Sequence, residues 1–377
     1  MDLETILGQL QLIFDQLLVL WGKVENYYST LSGQELGMQI IALAIVFTFI
    51  VSVILASTVV FLRFKNQLKS RRLIRLERSW EKQLIQIVMS GEDDIKPPVI
   101  KRGDRFFYIR YLYRFAERLT GAERVKVKDL ATPFLKHLQK GLKSRYPEWR
   151  ARNLNILGTF GFPEYIERIK LALQDPSPIV SMTAARTLAH RDYPEHCELI
   201  LGVLEKFDEW SMSFLSSMLS EMGLEAAPAL RTALTNPDES LRVRIAAAEA
   251  LREIGDLGTG DLAIKLLNEE IDPELKAALL RLIGTLGVPR HRLTLISLLD
   301  APEFIIRIHT LKALGHIGEP GDGEKILASF NDESDWVALH AARALLDLGR
   351  EDLLEVMAHD HPKSQIVRQV MVGAGAA

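Results

Sequence analysis

Six basic residues in one short stretch are the strongest candidates for chemistry in this chain. Arg105, Arg110, Arg114 and Arg118 stand close together, and Lys126 and Lys128 follow. Arg110, Arg114 and Arg118 recur every fourth residue, so on a helix they form one stripe. An arginine fork can make two parallel bonds to one anion, which suits a phosphate group or an acidic protein face. The competing reading is structural: the helix caps a larger stack, its aromatics Phe106, Phe107, Tyr111, Tyr113 and Phe115 are core, and its arginines are solvated or near lipid.

Other constellations point less far. His359-Asp360-His361 is the one histidine cluster, and two His with one Asp need further ligands to hold a metal. Gly255-Asp256-Leu257-Gly258-Thr259-Gly260-Asp261 and Gly318-Glu319-Pro320-Gly321-Asp322-Gly323-Glu324 superficially resemble phosphate loops. Their acidic groups would repel phosphate, so both are read as inter-repeat turns. The sequence has no GxxxxGK[ST], HExxH, GxSxG or CxxC, and Cys197 is its single cysteine. No catalytic residue, cofactor or metal ion is assigned, and the expectation is a protein that is not an enzyme.

The elements that must position these residues show themselves through glycine. Gly161, Gly223, Gly255, Gly287, Gly318 and Gly349 close successive apolar patterns at spacings of 62, 32, 32, 31 and 31. The first gap is two periods, with a degenerate copy around His190. A fixed period near 31 marks a solenoid. Four residues before each glycine stand Leu157, Leu219, Leu251, Ile283, Leu314 and Leu345, which lie on one helical face. Asp175-Pro176, Asn236-Pro237, Asp272-Pro273, Ala301-Pro302, Asn331-Asp332 and His361-Pro362 break the pattern between two apolar runs. Each unit is therefore helix, Asx/Pro turn, helix, Gly turn, with the glycine expected as a left-handed cap. The last copy, Asp352 to Val372, reads as incomplete, and the tail from Gly373 as frayed.

Asn236-Pro237, Leu241-Arg242-Val243-Arg244, Ala246 to Leu251 and Ile254-Gly255 together resemble the HEAT and HEAT-like repeat family. That family includes a short bacterial form first described in phycobilisome lyases, and this chain looks like a membrane-anchored version. The resemblance covers about residues 147–370 and implies a right-handed α-α superhelix that binds other proteins. It also implies a basic residue early in each second helix. Arg150, Arg244, Lys276 and Arg307 fill that place, whereas Met212 and Ala338 break the series. These basic residues are read as a ladder of structural polar contacts. The lyases attach a chromophore, but no residue pattern here matches a lyase site.

Before the repeats, Ile40 to Leu62 is 23 residues without a charge. At ~1.5 Å per residue it covers a hydrocarbon core of about 30 Å. Arg63, Lys65, Lys69, Arg71, Arg72, Arg75, Arg78 and Lys82 follow it, and only Lys23 precedes it. The positive-inside rule then predicts an inner-membrane, single-pass protein with its N-terminus outside and its solenoid in the cytoplasm. Residues 3–21 predict an amphipathic helix at the membrane surface or against another membrane protein.

Charge is zoned: −4 over residues 1–62, +13 over 63–150 and −12 over 151–377. An acidic solenoid argues against nucleic acid as a partner. The basic middle suits anionic lipid head groups. The expected organisation is an extracytoplasmic helix (1–36), a transmembrane helix (37–63), a basic juxtamembrane helix and linker (64–100), a basic cap (101–149) and HEAT-like repeats (150–377). The expected role is a scaffold for a neighbouring integral membrane protein or its cytosolic domain, such as an exopolysaccharide- or envelope-biosynthesis glycosyltransferase or a secretion complex. The alternatives are a regulatory subunit sensing a small nucleotide-like anion at the basic end, and a lyase-like enzyme.

Overall fold

The computed structural model describes residues 3–30, 36–89, 99–160, 163–190 and 193–373. The proline-bearing connector expected at 90–98, the closing Gly161 and the tail beyond Gly373 lie outside the described residues. Every regular element among the described residues is helical. The chain divides into two compact units, Met1–Ser90 and Gly91–Ala377.

In the first unit, α1 (Leu3–Thr30) precedes α2 (Leu36–Met89), a single helix of 54 residues. At 1.5 Å per residue α2 is about 80 Å long. No proline interrupts it. It is long and apolar enough to cross a membrane, by length and composition. Three hydroxyls of its apolar stretch are satisfied within the helix: Thr48, Ser52 and Thr58 donate to the carbonyls of Ala44, Thr48 and Ile54 at 2.7, 2.8 and 2.7 Å. Such back-bonding lowers the cost of a hydroxyl in an apolar surrounding. The basic run after Leu62 continues the same helix. Helix α1 folds back antiparallel along the start of α2. Phe14, Leu17, Leu18, Trp21 and Val24 face Ile45, Val46, Phe49 and Ile50 across an apolar cleft of about 310 Å³. Helix α1 thus forms one arm of a hairpin with α2, and its Phe14, Leu18 and Trp21 stay more than half exposed.

The second unit opens with α3 (Arg105–Ala116), α4 (Gly121–Ala131) and α5 (Lys136–Gly141). Helix α3 is shorter than the Asp104–Leu119 span its pattern suggests. The chain turns after Ala116, and Gly121 adopts φ +62°. Arg118 therefore lies past the helix end, and the expected three-arginine stripe is reduced to Arg110 and Arg114.

The repeats follow as pairs. First helices are α7 (Ile166–Ala172), α9 (Cys197–Leu201), α11 (Ala227–Thr235), α13 (Thr259–Glu269), α15 (Arg292–Ile296), α17 (Gly323–Leu327) and α19 (Glu351–Asp360). Second helices are α6 (Pro147–Thr159), α8 (Pro178–Leu188), α10 (Met212–Ser220), α12 (Leu241–Ile254), α14 (Pro273–Leu286), α16 (Phe304–Ile317), α18 (Asp335–Asp347) and α20 (Ser364–Gly373). Second helices stack directly on one another, α6 on α8 and α10 through α12, α14, α16 and α18 to α20. The last copy, expected to be incomplete, forms both helices, and α20 packs on α18 and α19. Between α8 and α10 the ladder changes: a 3-10 turn, Leu204–Phe207, packs against both α8 and α12. The degenerate copy around His190 supplies α7 and α8, and the turn belongs to the copy that follows it.

The core is aliphatic and alanine-rich. Leu251, Ile283, Leu314 and Leu345, each four residues before a closing glycine, are fully buried. Alanines and glycines bring second helices close. A Cβ on Gly284 would sit 3.1 Å from Ala313 Cα, and one on Gly315 would sit 3.3 Å from Ala344 Cα. The closing glycines serve two purposes. Gly223, Gly255 and Gly349 hold positive φ of +76°, +81° and +69°, which only glycine adopts readily; Gly255 is a left-handed cap, whereas Gly223, at ψ −169°, lies outside that region. Gly287 and Gly318 have no positive φ: their backbones are extended at φ −71° and −73°. There a Cβ would meet the carbonyl oxygen of Ile283 or Leu314 at 2.4 Å, so glycine is required by close approach.

Candidate functional site

The most regular polar feature is a clamp that joins one unit to the next at three places. Arg150 grips Asp175 with two bonds, Nε to Oδ2 at 2.8 Å and Nη2 to Oδ1 at 2.7 Å, and donates to the Ser144 carbonyl at 2.8 Å. Arg307 repeats this on Asp332, at 2.6 and 3.1 Å, and on the Ala301 carbonyl at 2.6 Å. Arg244 pairs with Glu270 at 2.8 Å and donates to the Leu234 carbonyl at 3.1 Å. Each carboxylate also accepts amides at its own turn: Ser177 to Asp175, Ile271 and Asp272 to Glu270, Ser334 to Asp332. One side chain thus ties a second helix to the turn of the next unit, and that turn is capped by the same carboxylate. Burial alone would raise these three carboxyls. The arginine and amide bonds outweigh it and hold all three below the ordinary carboxylate range. At Lys276 the corresponding residues one unit on are Ala301 and Pro302, and the clamp is missing.

The expected polar ladder is therefore present, but its acceptors were not named from the sequence. They lie 25 or 26 residues after the arginine, far outside a helical window. An acid recurring at that distance in three copies is the signal that would have found them.

The glycine-bearing turns are likewise structural. Asp256 accepts from the Thr259 hydroxyl and, at 3.2 Å, from Arg231. Asp261 is held by Arg290 at 2.7 Å and by His291 Nε2 at 2.6 Å. Asp322 accepts from Arg292 at 2.5 Å and from the Glu319 amide at 2.9 Å. The carboxylates that would face a phosphate are already bonded. In the histidine cluster, His359 Nδ1 meets the Glu355 carbonyl at 2.8 Å, and His361 accepts the Lys363 amide at 3.1 Å. No group of three metal-ligating side chains occurs among the described residues. Cys197 is buried, and burial pushes its thiol up to about 12, away from reactivity.

In the basic cap, Tyr108, Ile109, Leu112 and Ala116 form the buried face of α3, with the Tyr108 ring 5.3 Å from that of Phe134. The flanking aromatics are half-buried: Phe106 packs 5.4 Å from Trp149, and Tyr113 donates to Glu117 at 2.5 Å while accepting from Asn155 at 2.9 Å. Arg105 turns inward and donates to His137 Nε2 at 3.1 Å, and His137 Nδ1 lies 3.1 Å from the Phe134 carbonyl. Arg110, Arg114, Lys126 and Lys128 each hold an interaction of their own. Arg118 is exposed in the turn.

A third feature was not singled out from the sequence. Counting back six residues from each closing glycine gives Glu249, Arg281, Lys312 and Arg343, one on each of α12, α14, α16 and α18. Glu249 is bonded by Arg252 at 2.9 Å and by Arg281 at 2.5 Å. Arg281 extends to His309 Nε2 at 3.3 Å. His309 and His340 occupy equivalent positions of α16 and α18. Burial, reinforced by Arg281 and Lys312 at His309 and by Lys312 and Arg343 at His340, lowers both imidazoles to about 4. Both are neutral at neutral pH. Lys312 and Arg343 are exposed and carry no ion pair among the described residues. The recurrence of a cation at the repeat length, in place of a four-residue stripe, is the signal that reveals this row.

A model of HEAT repeats matches residues 135–212 and 260–347. No curated protein matches the chain. Among solved structures, Kap121p bound to RanGTP is 14% identical, with 76% of this chain and 36% of that one covered at a TM-score of 0.41. A Kap121p mutant is 15% identical, over 70% and 35%, at 0.40. An engineered protein is 17% identical, over 76% and 86%, at 0.36. The chain spans about a third of the length of the Kap121p structures it matches. Taken with the paired helices, the closing glycines and the unit-to-unit clamps, the match settles the architecture: residues 135–212 and 260–347 are HEAT repeats, in an α-solenoid suited to protein–protein interaction.

Proposed function

We propose that this protein is a membrane-anchored scaffold whose HEAT solenoid binds a neighbouring membrane protein or its cytosolic domain. One observation carries the reading. A helix of membrane-crossing length stands in the same chain as a stack of second helices that presents aligned rows of side chains. The apolar part of α2 is the anchor, and the α1 hairpin arm lies beside it. Arg63, Lys65, Arg71, Arg72, Arg75, Arg78 and Lys82 follow the span, which favours a cytoplasmic solenoid and suits anionic head groups. Within the solenoid, the charged clusters described above are bonded into inter-unit contacts, which supports binding as the role over catalysis. An exopolysaccharide- or envelope-biosynthesis enzyme, or a secretion complex, is the class of client we favour.

The test is gentle solubilisation of membranes, purification through an affinity tag, and identification of stoichiometric membrane partners. A client at fixed ratio is the expected result, and a lone monomer would overturn the reading. The anion-sensing alternative has less support, since Arg105 is bonded to His137 and Arg110, Arg114, Lys126 and Lys128 are already engaged. Saturable nucleotide binding lost in Arg110→Ala and Arg114→Ala would restore it.

A further inference from the structure

We infer that the row Arg281, Lys312 and Arg343 is a docking track for an extended acidic segment of a partner protein, with one carboxylate at about every third residue. This rests on the scaffold reading and specifies its contact face.

The argument begins with periodicity. The three cations are 31 residues apart and stand at one position of three consecutive stacked helices. Stacked helices lie about 8–10 Å apart. A peptide in the polyproline II conformation has three residues per turn and rises about 3.1 Å per residue, so every third side chain returns to the same side after roughly 9 Å, one rung of this stack. A peptide running along the stack can thus present a carboxylate to each rung in turn.

Charge complementarity identifies the occupant. Residues 151–377 carry a net −12, so an acidic chain is repelled over most of the solenoid. The row is the exception. Arg281 gives one edge of its guanidinium to Glu249, while Lys312 and Arg343 are exposed and unpaired among the described residues. Beside them the half-buried His309 and the buried His340 add no charge at neutral pH. Two carboxylates flank the row: Glu249 on α12, already bonded to Arg252 and Arg281, and Asp347 on α18, one helical turn past Arg343, whose Oδ2 lies 2.9 Å from where a Gly315 Cβ would stand. Attraction in one strip against repulsion elsewhere gives register as well as affinity.

An apolar edge runs beside the cations. Trp336 and Leu339 share the Arg343 face of α18, seven and four residues before it, and Ile305 shares the Lys312 face of α16. Trp336 is 63% exposed and Ile305 36% exposed. An exposed tryptophan beside a cation row is the pairing that anchors peptide segments in interfaces. The expected occupant therefore carries apolar side chains between its acids. Nucleic acid fits worse, since its charge is denser than one per rung and the surrounding field is negative.

The full-length chain in detergent should be titrated with a fluorescein-labelled peptide of about twelve residues, bearing Asp at every third position and Leu beside each. Fluorescence anisotropy is read against the same composition with the Asp residues clustered at one end. We expect saturable, salt-sensitive binding of the spaced peptide, at least about tenfold tighter than the clustered one and at least about tenfold weaker in Lys312→Glu/Arg343→Glu. Both substituted residues are exposed, and an unchanged circular dichroism spectrum shows that the variant folds. Equal binding of the two peptides, equal binding to parent and variant, no saturation, or a DNA oligonucleotide of matched charge binding as tightly would each overturn the track. The tagged purification separates this from the scaffold reading. A parent and a Lys312→Glu/Arg343→Glu variant that recover the same client equally remove the track and leave the scaffold standing. A parent that recovers nothing removes the scaffold.

Discussion

Individual arginines carry more of this architecture than their surface position suggests. Arg307 and Asp332 are mostly buried and share two bonds, and the arginine also satisfies the Ala301 carbonyl. Removing the arginine leaves a poorly solvated carboxylate and an unpaired carbonyl. We expect Arg307→Ala to cost about 2–3 kcal/mol, seen as a lower midpoint in denaturant. Arg350→Ala should cost much less, because Glu324 and Asp352, its carboxylate partners, are exposed. The histidines give a pH dependence of definite sign. His309 and His340 titrate at about 4 in the fold, against an ordinary value near 6.5. Between those values the unfolded chain binds protons that the folded chain refuses. Their contribution is present above about pH 6.5 and is lost as pH falls toward 4. The clamp carboxylates, held below their usual range, add the same sign at the lower end. The unfolding midpoint should drop between pH 7 and pH 5, and a His309→Gln/His340→Gln variant should show a flatter dependence.

At the scale of elements, contact between second helices is set by what they lack. Replacing Gly284 by Ala gains helix propensity of up to about 1 kcal/mol. The new methyl, however, would stand 3.1 Å from Ala313 Cα, and backbone in a packed stack has little room to yield. Gly315→Ala first meets the movable Asp347 carboxylate. We expect Gly284→Ala to lower the thermal midpoint and Gly315→Ala to change it less. Much at this scale was legible in the sequence. The closing glycines fixed the period, and Asp272-Pro273 marked a real helix start, where Asp272 accepts the amides of Glu274 and Leu275. Other features could not be read from letters alone. Gly255 and Gly287 look identical in the alignment, yet one is needed for its dihedral and the other for its contact with a carbonyl. Asp175 and Asp332 are legible as turn residues and Glu270 is not, and the arginines of all three come from the preceding unit. Four-residue spacing puts Arg118 on the helix with Arg110 and Arg114, but α3 ends at Ala116, before Arg118 is reached.

At the scale of the molecule, a solenoid is a sum of units and the interfaces between neighbours. Such a chain unfolds in one step only while every interface is strong. Phe207 is fully buried in the 3-10 turn that bridges α8 and α12. Cutting it to Ala costs about 3–5 kcal/mol at a single interface. We expect Phe207→Ala to divide one denaturant transition into two, with the α10–α20 part retaining its midpoint.

The same junction has a mechanical meaning. Around Phe207, polar ties supplement the turn's packing: Lys206 reaches the Leu173 carbonyl at 3.2 Å and Gln174 at 2.8 Å, and Arg242 holds the carbonyls of Phe207 and Trp210, each at 2.7 Å. Hydrogen bonds of this kind act over a short distance and reform quickly, whereas interdigitated helices must slide apart together. Drawn from its two ends, the stack is expected to part first at this seam, where short polar ties stand beside the packing of a single turn.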